Sequence, residues 1–139
     1  TTRQRASILG FPIPRPMGGV VWQGELPEPM SSEKLGRHLA RALHRQPLHV
    51  GNGPEMIKTV AWCTGAAQGF INAALDAGVD AYISGEISEP TTHTARECGI
   101  HYYAAGHHAT ERYGVQALGE ALAREFGVKH QFIDCDNPV

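Results

Sequence analysis

The chain has 139 residues, 42% apolar and 19% charged, and its 12 Lys and Arg against 14 Asp and Glu leave a net charge of −2. That composition is ordinary for a globular domain, and the near-neutral balance argues against nucleic-acid binding driven by bulk charge. No apolar run reaches the roughly 18 residues of a helical membrane span.

The length suits one domain, or one lobe of a larger protein, and is enough to bury a core without a disulfide or metal staple. Residues 4–9 read as the last turns of a helix closed by Gly10. A chain that opens on a helix end, without Met, predicts a natural protein extending further upstream. Residues 1–30 form a Pro- and Gly-rich opening segment, in which Pro12, Pro14 and Pro16 forbid a helix or a central strand. Within it, 20–26 reads as a strand. Ser31 or Ser32 caps a helix with Leu35, Leu39, Ala42 and Leu43 on one face and Arg37, Arg41 and Arg45 on the other, stopped at Gln46-Pro47. A short strand follows at 48–50, then a turn at 51–54.

From Ile57 the pattern alternates. Strands are expected at 57–63, 79–84, 100–105 and 130–135, and helices at 67–77, 90–98 and 110–126. Each helix stops at a glycine: Gly78, Gly99 and Gly127. Phe70, Ile71, Ala74 and Leu75 mark the buried stripe of the first helix. Val115, Leu118, Leu122 and Phe126 mark that of the last. The alternation predicts an α/β fold, a layered sheet flanked by helices.

Ligands of such sheets gather outside the carboxyl ends of the strands. Three polar segments lie there: Cys63-Thr64-Gly65, Ser84-Gly85-Glu86 and the run from Gly106 to Glu111. His107 and Glu111 are four apart at the start of a helix, with Cβ atoms about 5–6 Å apart on one face. An imidazole and a carboxylate so placed can ligate a metal ion, and the pair admits Zn, Mn, Fe or Ni. The plainer reading is a surface histidine with a glutamate favoured by the helix dipole. Glu86 reads as a pocket acid or a solvated loop carboxylate, and His93 could turn toward the same edge. Residues 64–69 match neither phosphate-loop pattern and read as a tight turn. Cys63, Cys98 and Cys135 form no CxxC pair and read as reduced thiols of a cytoplasmic protein. Cys98 and Cys135 read as packing residues, and Trp22 and Trp62 as core or interface.

Six segments stand in an order that resembles one family. They are Gly53-Pro54-Glu55, Val60-Ala61-Trp62-Cys63-Thr64-Gly65, Ile83-Ser84-Gly85-Glu86, His93-Thr94-Ala95-Arg96-Glu97, the run from Tyr103 to Arg112 and the run from Phe132 to Pro138. They are similar to the C-terminal half of the GTP cyclohydrolase type 2 homolog family, the YbgI-like, NIF-three-like dinuclear-metal proteins. The GHxxTE element and the FIDxxNP ending are specific together.

The resemblance implies that 1–139 is the C-terminal portion of a two-lobed α/β protein. It implies two divalent metal ions in a cleft and a ring-shaped homohexamer. It assigns metal ligation to His107 and Glu111, leaves His108 and Thr110 as flanking support, and allows Glu86 or His93 to line the cleft. The family's adjacent His pair and Asp, from its N-terminal half, have no counterpart here. Two ligands fall short of the roughly three protein ligands a catalytic metal needs, so the chain alone is expected to be inactive. For the complete protein the resemblance implies metal-dependent hydrolysis of a small-molecule substrate, two metals about 3.5–4 Å apart activating a water. The family name points to the GTP purine ring as a substrate. The competing reading is a non-enzymatic, oligomeric metal-binding or protein-interaction scaffold.

Overall fold

A computed structural model describes residues 10–11 and 15–139. The expected helix end at 4–9, with Pro12 and Pro14, lies outside the described residues. Strands β1 (Arg15–Gly18), β2 (Val21–Ser31), β3 (Leu48–Val50), β4 (Met56–Trp62), β5 (Ala81–Ser84) and β6 (His101–Ala104) form one six-stranded sheet in the order β1-β2-β4-β5-β6-β3. Helices α1 (Ser32–Leu43), α2 (Ile71–Asp76), α3 (Glu89–Glu97) and α4 (His107–Phe126) accompany it, and a 3-10 turn at Gln68–Phe70 leads into α2. The α/β class is as expected. The sheet is mixed: β4, β5 and β6 run parallel, while β1, β2 and β3 pair antiparallel with their neighbours.

Both faces of the central strands are buried, as parallel strands require. On one face Ile57, Val60, Trp62, Ala81, Ile83 and Tyr103 pack with Leu35, Leu39 and Leu43 of α1. On the other, Ala61, Tyr82 and Tyr102 pack with Ile71 and Ala74 of α2 and Ala95 of α3. Ser31 caps α1, its side chain accepting from Lys34 N–H at 3.3 Å. His44 closes the helix in the left-handed region.

Several expectations are corrected. β1 was not anticipated; it is an edge strand, the one sheet position that tolerates Pro16. β2 runs on through Pro27 and Pro29, because β1 flanks it only up to Gln23 and its register with β4 shifts between Glu25 and Met30. The helix expected at 67–77 is split by the 3-10 turn, which leaves Phe70 exposed. Cys98 and Cys135 are exposed rather than packed, since one follows the end of α3 and the other sits on the chain beyond α4.

The largest corrections concern the end of the chain. No strand forms at 130–135. An alternating segment needs a strand to pair with, and this one runs back along α4 instead. Val115, Leu118, Leu122 and Phe126 point outward, at 58%, 59%, 44% and 68% exposure. The sheet faces are already covered by α1 on one side and α2 and α3 on the other, so α4 has no face left to lie on. Only Ala109 and Thr110 of α4 are buried.

Asp80, just before β5, fixes where that strand meets β4. Its Oδ2 accepts from Lys58 N–H at 2.8 Å, Thr59 N–H at 2.7 Å and the Thr59 hydroxyl at 2.8 Å, and its own N–H donates to Thr59 Oγ1 at 3.0 Å. Asp80→Ala strands these donors, and is expected to lower stability by about 2 kcal/mol in urea unfolding, with Asp80→Asn costing less.

β3 closes the other edge through histidines. Buried His101 donates Nε2–H to the Pro54 carbonyl at 2.9 Å, which leaves its Nδ1 to accept from His49 Nε2–H at 3.0 Å. His49 stacks on Tyr103, and its pKa lies below the ordinary 6.5 because of desolvation and then the neighbouring His101. The folded chain therefore prefers neutral His49. Its contribution is complete above the ordinary imidazole pKa and declines as pH falls below it. Protection factors at Val50 and Tyr102, corrected for the intrinsic slowing of amide exchange at lower pH, are expected to fall over that descent, ahead of those of the β4–β5 amides.

Candidate metal centre

The parallel strands bring the three polar segments to one sheet edge. Backbone bonds continue the ladder past the strand ends: Gly85 N–H donates to the Gly65 carbonyl at 3.0 Å, Ala105 N–H to Ser84 at 2.8 Å and Gly106 N–H to Gly85 at 2.9 Å. Ser84 Oγ donates to the same Gly65 carbonyl at 3.2 Å. Gly65 N–H donates to Thr110 Oγ1 at 3.1 Å, and that hydroxyl donates to the His107 carbonyl at 3.0 Å. The loops are thus tied to one another and to the first turn of α4. Gly65 has φ +63, and a Cβ there would meet Glu111 Oε1 and His107 Nε2, so the loop backbone must pass directly under the two side chains.

His107 stands between two carboxylates. Its Nδ1 lies 2.6 Å from Glu86 Oε1 and its Nε2 lies 3.1 Å from Glu111 Oε2. A carboxylate only accepts, so Nδ1–H is the donor to Glu86. That bond fixes the tautomer and turns Nε2 toward Glu111. Thr64 Oγ1 donates to the other oxygen of Glu111 at 3.4 Å. The imidazole pKa is raised, chiefly by the bond to Glu86 and further by Glu111, against partial desolvation. A proton on Nε2 bridges to Glu111; a cation in its place would meet one imidazole nitrogen and one carboxylate oxygen. Carboxylate behind, imidazole, then ligand carboxylate is the arrangement that orients metal-binding histidines.

Glu86, His107, His108, Glu111, Asn137 and Val139 line one cleft of about 310 Å³. Sequence reasoning placed His107, Glu111 and Glu86 together, and they are together. His93 is not among them. It sits exposed on α3, 3.8 Å from Glu89 on its own helix. Among the described residues, no group of three or more His, Cys, Asp and Glu side chains is arranged to hold a metal. His107 and Glu111 are the two neighbouring side chains of this cleft that could hold a cation, and Glu86 lies behind His107.

Reading the sequence did not find the polar clamp beside this cleft. His108 Nε2 lies 2.8 Å from Asp134 Oδ1, and Arg112 donates to Asp134 Oδ2 at 2.6 Å and to the Leu43 carbonyl at 2.8 Å. The Asp134 carboxyl is held below the usual carboxylate range, first by His108 and then by Arg112. Arg45, expected on the outer face of α1, donates to the Pro138 carbonyl at 2.6 Å and the Asn137 carbonyl at 3.4 Å. The signal was a second i, i+4 pair, His108 and Arg112, one residue on from His107 and Glu111.

The family model of Duf34/NIF3 (NGG1p interacting factor 3) matches residues 4–138. A Pseudomonas aeruginosa protein named GTP cyclohydrolase 1 type 2 homolog is 53% identical over 98% of this chain and 56% of its own length. An Escherichia coli protein of the same name is 47% identical, with the same coverage of each chain. The solved structure of "protein ybgI, unknown function" is 46% identical with a TM-score of 0.95 over 99% of this chain and 56% of that one. A Thermus thermophilus structure is 25% identical, with a TM-score of 0.84 over 98% of this chain and 55% of that one. The chain spans about half the length of the curated relatives it matches.

The Glu86 bond can be tested at the proton it orients. Glu86→Gln keeps an acceptor but removes the charge. The His107 pKa, followed by NMR titration of its ring protons, is expected to fall toward the ordinary imidazole value.

Proposed function

The chain belongs to the Duf34/NIF3 family, and from that premise we propose that it is the C-terminal portion of a dinuclear divalent-metal protein whose chemistry is metal-dependent hydrolysis. The observation that carries this reading is the line Glu86–His107–Glu111 at the carboxyl ends of three parallel strands. His107 Nε2 and Glu111 are the two ligands this chain supplies. Glu86 holds His107 in the tautomer that presents Nε2, and its charge offsets the positive charge the imidazole takes on when ligating. Two divalent ions in such a cleft lower the pKa of a bound water and polarise the bond it attacks. Imidazole with carboxylate accepts Zn, Mn, Fe or Ni.

In this reading the remaining ligands come from the part of the protein that the relatives have and this chain does not. That part forms the second lobe, and the outward apolar residues of α4 are where it packs. The complete protein assembles as a ring-shaped homohexamer in the cytoplasm and acts on a small molecule. The relatives' name makes GTP the first compound to assay.

Mass and metal measured on one sample test the ligand assignment. The 15.0 kDa chain alone is expected to hold no stoichiometric metal and to show no activity. The complete protein is expected to hold two metals per chain, and His107→Ala and Glu111→Ala are each expected to lower that count. Full metal in the double variant would overturn the ligand assignment. A fully closed coordination shell would instead favour a scaffold.

A further inference from the structure

The sheet face turned away from α1 carries two tyrosines side by side. Tyr82 of β5 and Tyr102 of β6 are register partners on parallel strands, so their side chains leave the sheet on the same face. Both are fully buried, packed with Ile71 and Ala74 of α2 and Ala95 of α3, and their rings meet edge to face at 5.6 Å. Each hydroxyl reaches past the end of the sheet to a loop carbonyl. Tyr82 donates to Ala67 at 2.8 Å, and Tyr102 donates to Glu86 at 2.6 Å.

Neither hydroxyl is needed for packing, since a phenylalanine would fill the same space without an O–H to satisfy. Burial raises both phenol pKa values above the ordinary 10, so each hydroxyl keeps the proton it donates. The two bonds differ in what they hold. The Ala67 carbonyl also takes Phe70 N–H and starts the 3-10 turn. Glu86 is held at both ends: its carbonyl by Tyr102 in the core, its Oε1 by His107 Nδ1 in the cleft. On its N-terminal side Gly85 is tied to Gly65 and Gly106, and on its C-terminal side Tyr102 supplies the tie.

His107 has a carboxylate on each side. A neutral imidazole carries one proton, and the partner of one nitrogen decides the state of the other. With Glu86 in place the proton sits on Nδ1 and Nε2 is left as an acceptor. If Glu86 draws back, Glu111, 3.1 Å from Nε2, takes the proton to that side.

We propose that Tyr102 is a positioning residue of this centre: by holding the Glu86 backbone it sets the carboxylate that keeps the His107 proton on Nδ1 and leaves Nε2 open to a ligand. That the ligand is a metal rests on the reading above; the state of the ring does not.

The test reads the ring-nitrogen chemical shifts of His107 in the complete, metal-free protein at a pH where the ring is neutral. These shifts distinguish the Nδ1–H from the Nε2–H form. Glu86→Ala sets the reference for a lost carboxylate. Tyr102→Phe keeps the ring and its packing, and is expected to raise the Nε2–H share severalfold, toward that reference. Tyr82→Phe removes a bond of the same kind on the neighbouring strand and is expected to leave the share unchanged, although both variants lose stability in urea. A second route leaves the core untouched. Glu86→Asp draws the carboxylate back by one methylene while Tyr102 holds the backbone, and is expected to raise the same share. If the backbone were free to follow, the shorter side chain would still reach His107. An unchanged ring in Tyr102→Phe or in Glu86→Asp would overturn the proposal. So would equal shifts in the two Phe variants, which would mark a general loosening of the core. No metal enters these readouts, so a failed metal count and a failed positioning role are separate results.

Discussion

The site depends on the close approach of three loop backbones at the ends of β4, β5 and β6. The Gly65 carbonyl receives Gly85 N–H and the Ser84 hydroxyl, while its N–H reaches Thr110 in the first turn of α4. A Cβ at Gly85 would meet the Gly65 carbonyl, Thr110 Oγ1 and the His107 backbone, and one at Gly65 would meet the two candidate ligands. Glycine at both positions lets α4 start against the sheet edge. With that start fixed, His107 falls between Glu86 and Glu111 with no further adjustment.

This explains how much of the site was legible in the sequence. His107 and Glu111 could be paired because their spacing is local and a helix translates spacing into distance. Glu86 could be placed nearby because parallel strands end together. His93 misled for the same reason: it follows the right strand, but its place on α3 turns it to solvent beside Glu89. The clamp on the end of the chain was illegible. Asp134 is 22 residues from Arg112, Arg45 is 93 from Pro138, and no periodic pattern links them.

The fold divides in the same way. The α/β alternation, the cap at Ser31 and the buried stripe of α1 follow from local chemistry and appear as read. The final helix does not. Its apolar period was read correctly as a helix, but a period says only that one face is apolar, not that a surface waits to cover it. The same holds for 130–135, where alternation marks a segment able to pair and not one that has found a partner. Both errors fall on one region, where α4 extends past the layers that the rest of the chain fills.

The position of β3 carries a consequence for how the chain reaches this structure. β1 and β2 form a hairpin, β2 meets β4 across the connection that carries α1 and β3, and β4 and β5 are joined by a short crossover. β3 precedes all of the parallel strands in the chain yet sits beyond the last of them, its His49 52 residues from His101. It has no partner until β6 is in place. Contacts of such separation need a long loop closed before they repay it, and they slow folding. The sheet is therefore expected to assemble outward from β4, and its β3 edge, with the histidine pair, to be the last seam to anneal.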